Sequence, residues 1–334
     1  MSDIELFTTA PESVGIAPGE YPRRVAEVAR WSEAAGCVGI LVYTDNRLVD
    51  PWLVAQVILG STRRLAPLVA TQPVYMHPYS VAKMIATLGH LHGRRLCLNM
   101  VAGGFKNDLL NLGDETPHDL RYARLEEYMA IVCGLLRGTA PVTLAGRFYN
   151  VRNLTLQPAL PPDLFPGLYL SGSSEAGRAA ASASGAIAVE YPQPGGSYPA
   201  TPAGAAATRG IRIGIITAPD DAVAWRLARE RFPEDRRGQI AHRVAMRVSD
   251  SAWHADLAGR SEGSEQHESP YWLGPFQNYQ TFCPYLVGSH ERVAAEVATY
   301  LRAGFRTFIL DIPRRPEDVE PIPDLFRRAA ELAG

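Results

Sequence analysis

Residues 168–178 read LYLSGSSEAGR, an apolar run, a Gly-Ser-Ser turn and the start of an alanine-rich helical pattern. A buried strand that delivers such a turn to a helix start leaves backbone N–H groups without intrahelical partners, and the helix dipole there favours negative charge. Gly172 lets backbone approach closely, Ser173 and Ser174 supply hydroxyl donors, and Arg178 stands a turn further on. The chemistry suits a phosphate, although a serine helix cap without any ligand gives the same pattern.

Other polar residues stand where apolar ones are expected. Asn99 is a lone amide inside LCLNMVAGG, residues 96–104, and a buried amide needs partners. It either faces a polar heterocycle or satisfies a neighbouring strand. Ala70, Thr71 and Gln72 close the run LVATQP. Tyr122 lies early in a long helical pattern, where its hydroxyl can reach an anion or its ring can pack. Glu190, Asp311, Asp45 and Arg47 follow apolar runs, the positions from which barrel enzymes recruit catalytic groups. Asn99, Glu190, Arg212 and Asp311 are the candidate catalytic residues. His77, His118 and His290 adjoin helix starts and are read as caps. No Ser-His-Asp order, HExxH or P-loop occurs.

Apolar runs at 4–9, 38–43, 65–70, 96–101, 167–170, 186–189, 211–217 and 305–312 alternate with helical patterns. Continuous apolar strands separated by helices imply a parallel sheet buried on both faces. Eight of them favour a closed (β/α)8 TIM barrel over an open sheet. The helices are expected at 21–35, from 50 to about 63, at 78–92, 119–137, 175–184, 221–231 and 323–332. Asp50-Pro51 is an N-cap followed by proline at the first helical position. The chain is read as one barrel domain over 1–334. Its insertions are a hairpin segment at 141–166, a Pro/Gly/Ala-rich loop at 192–210 replacing helix six, and a long excursion at 235–287 shaping the mouth.

With 46% hydrophobic residues, 20% charged and a net charge of −2, the 334-residue chain shows no sign of a nucleic-acid partner. Its four cysteines form no CxxC pair and are expected to be reduced and buried, with no metal site. No basic leader or membrane-length apolar run is seen, so a cytoplasmic protein is expected.

Taken together, residues 39–73, RRLCLNMVAGG, LRYARLEEY, RFYNVRNLTLQPAL, LYLSGSSEAG and 286–310 resemble the luciferase-like flavin-dependent monooxygenases, most closely the alkanesulfonate branch. The resemblance implies a barrel binding FMN at its C-terminal mouth. Ser173 and Ser174, with Gly172 and Tyr122, would hold the phosphate; Ala70, Thr71 and Asn99 would border the ring. It also implies a reductase partner supplying FMNH2, oxygenation of a small organic substrate through a peroxyflavin, and a homodimer or homotetramer. The chain departs from the sulfonate branch. Leu48 falls where a cysteine is expected, and strand seven reads Arg212-Ile213-Gly214, keeping the arginine and losing the histidine. Tyr279 falls near the mobile-loop arginine, and Ile312-Pro313 replaces Tyr-Pro. An anionic sulfonate needs fixed donors, so a less charged, bulkier substrate is expected, such as a natural-product intermediate. Two alternatives stand beside this: an F420-dependent oxidoreductase of the same superfamily, and a flavin-binding barrel that has lost catalysis and serves in assembly.

Overall fold

The computed structural model describes residues 4–103, 106–201, 209–247 and 269–334. Gly104 and parts of the 192–210 and 235–287 segments lie outside the described residues. In chain order the elements begin β1 (Glu5–Thr9), α1 (Tyr21–Ala34), β2 (Gly39–Val42), α2 (Pro51–Ser61), β3 (Ala66–Thr71), α3 (Pro78–His92) and β4 (Cys97–Val101). They continue α4 (Lys106–Asn111), α5 (His118–Arg137), β5 (Val142–Ala145), β6 (Asn150–Leu154), β7 (Gly167–Ser171), α6 (Glu175–Ser184) and β8 (Ile187–Glu190). Then follow β9 (Arg209–Ala218), α7 (Asp221–Arg231), α8 (Arg236–Arg247), β10 (Tyr271–Trp272), α9 (Gly274–Gln277) and β11 (Tyr285–Ser289). The last three are α10 (His290–Arg302), β12 (Phe305–Leu310) and α11 (Ile322–Ala333). The fold is a (β/α)8 barrel, with β1–β4, β7, β8, β9 and β12 as its strands.

The contacts divide the chain into two compact units. One comprises Ala10–Glu33 and Val38–Ala188. In it β3, β4 and β7 pair in parallel with Ala70 beside Asn99 and Asn99 beside Tyr169. Side chains alternate along a strand, so Val69, Leu98, Met100 and Leu170 share one face. That face is buried against Ile85 of α3 and Leu125, Tyr128 and Leu135 of α5. Ala70, Asn99, Tyr169 and Ser171 share the other. The helix starts follow their sequence signals. Asp50 accepts the N–H groups of Trp52 and Leu53, and His77 accepts that of Tyr79. Where α2 hands over to β3, the Glu33 carboxylate accepts three backbone N–H groups, from Arg63, Arg64 and Leu65 at 2.9, 2.5 and 3.0 Å.

The second unit contains β1, Ala34–Cys37 and the chain from Val189 onward. Here β12 pairs in parallel with β1 on one side and β9 on the other. Strand β9 is ten residues long. Its first half pairs with β12 and its second half, from Gly214, pairs in parallel with β11. Helix α7 packs on that second half through Ala224, Trp225 and Ala228. Phe308 of β12 meets Phe326 of α11 with ring centroids 4.8 Å apart.

From Pro192 to Thr201 the chain forms one 3-10 turn, Gly195–Ser197, and is tied down along α10. Tyr300 donates to the Gln193 carbonyl at 2.6 Å, the Gly195 N–H to Glu296 at 2.6 Å, and the Thr201 N–H to the Arg302 carbonyl at 2.9 Å. A Cβ at Gly195 would lie 1.7 Å from Thr299 Oγ1 and 2.9 Å from its Cβ. Helix α4, the elements α8, β10, α9 and β11 of the 235–287 excursion, and α10 after it carried no separate sequence expectation. Gly195→Ala is expected to cost about 1–3 kcal/mol through overpacking. Thermal denaturation will show this as a lowered midpoint, and an unchanged midpoint would mean the segment is not packed on α10.

Candidate active site

The polar groups of the Ala10–Glu33 and Val38–Ala188 unit gather at the C-terminal ends of β3, β4 and β7. Asn99 is 5% exposed, and its Oδ1 accepts the Ser171 hydroxyl at 2.8 Å. The amide is therefore anchored by a side chain on the neighbouring strand rather than by backbone. The sequence places Ser171 in the Ser171–Ser174 turn; its bond to Asn99 comes from strand register across 72 residues. Ala70 shares this face and is 4% exposed. Thr71 alternates to the helix-facing side, where its hydroxyl donates to the Val69 carbonyl at 3.3 Å. Gln72, one residue on, is also buried.

Beyond Ser171 the chain turns into α6. Ser174 is the N-cap residue, and its Oγ accepts the Gly177 N–H at 3.1 Å. That bond leaves the hydroxyl proton available. The N–H groups of Glu175 and Ala176, in the first helical turn, have no partner inside the helix. Arg178 folds back and donates to the Ser173 carbonyl. Tyr122, 8% exposed, reaches the turn from α5. A Cβ on Gly172 would lie 2.6 Å from the Tyr122 hydroxyl, and one on Gly177 would lie 3.2 Å from it. Both glycines thus make room for the tyrosine. Gly172 was expected to admit a ligand; Gly177 carried no expectation, although SGSSEAG shows both. The turn residues Ser171–Ser174 remain half-buried. They combine serine hydroxyls, a phenol and helix N–H groups, a donor set suited to an anion.

The other candidate residues lie in the second unit. Glu190 accepts Arg209 at 3.0 Å and the Tyr198 hydroxyl at 3.0 Å. The Arg209 guanidinium also lies 4.2 Å from the Phe305 ring centroid. Glu190 is thus engaged in anchoring the segment after β8. Arg212 and Asp311 form an ion pair at 3.5 Å, with side chains only 8% and 10% exposed. Arg212 also donates to the Tyr191 hydroxyl at 3.3 Å. Asp311 accepts hydroxyl protons from Tyr285 at 2.6 Å and Thr281 at 2.8 Å. Burial opposes ionisation of Asp311, but the Arg212 charge and the Tyr285 and Thr281 donors outweigh it and hold the carboxyl below its ordinary value. Burial, then the Asp311 charge, pushes the Tyr285 phenol well up and the Cys283 thiol to about 12.

Tyr285 explains the glycine in strand seven. It pairs with Gly214 across the β9–β11 ladder, and a Cβ on Gly214 would lie 2.2 Å from the Tyr285 ring. The space beside the backbone at 214 is filled by that ring. A lone glycine in a strand pattern signals such an approach, but not which residue makes it. Asp45 caps its own turn, accepting the Arg47 and Leu48 N–H groups at 2.7 and 3.0 Å. Of the three histidines, His77 alone is an N-cap. His118 and His290 are the first residues inside their helices, and they bond Asp119 and Thr217. Among the described residues no group of His, Cys, Asp or Glu could hold a metal ion, and no helix is long and apolar enough to cross a membrane.

Comparison with known proteins places this geometry. A family model described as luciferase-like monooxygenase matches residues 3–307. A monooxygenase of Niallia circulans, BtrO, named for 4-(gamma-L-glutamylamino)butanoyl-(BtrI acyl-carrier protein), is 34% identical over 304 residues, 90% of this chain and 89% of that one. The structure of riboflavin lyase RcaE with modified FMN and riboflavin matches with a TM-score of 0.75 at 17% identity, over 99% of this chain and 93% of that chain. That of an F420-dependent secondary alcohol dehydrogenase with an F420–acetone adduct gives 0.67 at 15% identity, over 98% of each chain. This chain belongs to the luciferase-like monooxygenases.

The depressed Asp311 value sets a pH dependence. Its contribution to stability is complete above the unfolded carboxyl value of about 3.9 and is lost as pH falls through the lower folded value. Asp311→Ala leaves Arg212 buried without its carboxylate and is expected to cost about 3–5 kcal/mol at neutral pH. Denaturant unfolding of both proteins from pH 7 to pH 3 checks this. The stability gap should narrow as the pH drops, and a constant gap would mean that Asp311 is not held ionised.

Proposed function

We propose that this protein is a two-component monooxygenase that uses FMNH2, supplied by a separate reductase, and O2 to oxygenate an acyl substrate carried on a carrier protein. The observation that carries the reading is the Ser171–Ser174 turn with the Tyr122 hydroxyl packed against Gly172 and Gly177. It fits the phosphate end of FMN. Ser173 and Ser174 offer hydroxyl protons, the first turn of α6 offers N–H groups, and Tyr122 offers a phenol at the place where an anion would sit. Asn99, fixed by Ser171, presents its amide N–H groups on the Ala70 face, where they can orient the polar edge of a flavin ring. Bound there, the reduced flavin supplies the oxygen activation that no side chain can.

Two observations support this substrate class, one in the second unit and one from BtrO. Arg212 is already engaged by Asp311 and Tyr191, and Tyr285 fills the space at Gly214. Neither is disposed to hold a simple sulfonate. The relative's carrier-bound acyl substrate supports an acyl chain as the group oxygenated. Arg212 and Asp311 hold each other in place; with its proton already lost, Asp311 is not a general acid at neutral pH.

A second reading, hydride transfer with F420, is favoured by the fold shared with the alcohol dehydrogenase. One experiment separates the two. Reduced FMN, 18O2 and carrier-bound acyl substrates are mixed with the protein, and products are read by mass spectrometry. Incorporation of one 18O atom is expected. Absence of label together with tight F420 binding would overturn the FMN reading. In addition, Ser173→Ala with Ser174→Ala should weaken FMN binding by about 1–3 kcal/mol through lost donors to a charged group. Equilibrium titration checks this, and unchanged affinity would place the phosphate elsewhere.

A further inference from the structure

The stretch 226–247 holds seven arginines against three acids, in a chain whose net charge is −2. Two of the arginines are used in ion pairs, Arg226 with Glu230 at 3.9 Å and Arg231 with Asp318 at 3.0 Å. That leaves Arg229, Arg236, Arg237, Arg243 and Arg247 against Glu234 and Asp235. Asp235 is occupied in starting α8, where its Oδ1 accepts the Arg237 backbone N–H at 2.9 Å. Arg236 and Arg237 are both exposed, and among the described residues neither has an ion-pair partner.

The opposite face of the helix is fixed to the chain ahead of β11. Asn278, 5% exposed, accepts the Gln239 amide N–H at 2.9 Å, and its carbonyl leaves no room for a Cβ at Gly238. The His242 ring packs edge-on against Phe276, with centroids 4.5 Å apart. Residues 238, 239 and 242 fall together at helical spacing. Arg236, Arg237 and Ile240 fall outside that face, and Ile240 is 55% exposed. Helix α8 thus presents to solvent an apolar side chain beside two unpaired cations.

The anchor of α8 leads to the end of the barrel where substrates enter. Thr281 and Tyr285, three and seven residues beyond Asn278, both donate to Asp311. Asp311 is the first residue after β12, at the C-terminal end of the strand, the end at which barrel sites open. A macromolecule held on α8 is therefore connected to that end through one short, well-bonded segment.

We propose that the exposed face of α8 docks the carrier protein that bears the acyl substrate, with carboxylates of the carrier meeting Arg236 and Arg237 and an apolar side chain meeting Ile240. Charge complementarity points to this occupant. Cations without internal partners attract a carboxylate-bearing protein face and speed its encounter. Glu234 and Asp235 at the helix start repel a continuous phosphate array, whereas a protein face can place its carboxylates to either side of them. The inference rests on the reading of the substrate as a carrier-bound acyl group, and names the surface by which this protein reads the carrier.

The experiment measures binding of an acylated acyl-carrier protein to the whole chain and to two variants, Arg236→Glu with Arg237→Glu, and Ile240→Ala. Charge reversal should weaken binding at least about tenfold in low salt, with the gap shrinking as salt rises. Ile240→Ala should weaken it about fivefold at every salt concentration, through lost apolar contact. Thermal midpoints and FMN affinity should match the parent protein in both variants. KM for the carrier-bound substrate should rise with kcat unchanged, and turnover of the same acyl group as a small thioester should not move. A carrier with its acidic residues changed to lysine should bind the charge-reversed protein better than the parent. Unchanged carrier affinity in both variants overturns the proposal. So does tighter Arg236- and Arg237-dependent binding of phosphatidylglycerol vesicles, of duplex DNA or of a second copy of the chain. Carrier binding that depends on Arg236 and Arg237 in a protein that inserts no 18O would leave the docking face standing and remove the oxygenase reading. Labelled product from small thioesters without carrier binding would do the opposite.

Discussion

A carboxylate taken out of water costs several kcal/mol unless charge and hydrogen bonds replace what it loses. Asp311 is such a group, and much of the second unit is arranged around it. Arg212 supplies the opposite charge, and Tyr285 and Thr281 supply protons. Tyr285 can do so only because residue 214 has no side chain, and only while β11 lies beside the second half of β9. That pairing in turn fixes where the chain returns after its long excursion, and α7 is packed beneath it through Trp225 and Ala228. One buried charge therefore links residues from four separate stretches of sequence.

In the other unit the same rule operates at lower cost. Asn99 is neutral, and a single hydroxyl from Ser171 fixes its orientation. The turn beyond Ser171 is different, because its donors are only partly used within the protein. Ser174 spends its lone pair on the helix cap but keeps its proton. The contrast is informative: groups that are fully satisfied hold the fold, whereas groups with donors to spare are the ones a ligand can recruit.

The barrel was legible in the sequence because its signals are local. Helices at Pro78–His92, Glu175–Ser184 and Asp221–Arg231 follow the apolar periodicity, and Asp50-Pro51 and His77-Pro78 mark two helix starts directly. The Gly-Ser-Ser turn was legible for the same reason, since strand, glycine, serines and helix lie within a dozen residues. What escaped is non-local. Ser171 meets Asn99, and Tyr285 meets Gly214 and Asp311, only through strand register, which no spacing in the chain encodes. Helix α10 begins directly after β11, so no connecting segment sets it apart in the sequence. Thr71, expected at the ring-binding face, alternates away from Ala70; a shift of one position along a strand reverses the side to which a residue points.

The four cysteines have a practical consequence. All are buried and none is bridged. Burial raises the Cys37 and Cys283 thiols to about 12 and lifts Cys133 above its ordinary value. Because the thiolate is the reactive form, alkylating reagents at neutral pH find few targets on the native chain. A single cysteine placed on an exposed loop would therefore be the preferred attachment point for a fluorophore or spin label. Distances and motions could then be followed by spectroscopy without first stripping the native sulfur from the core.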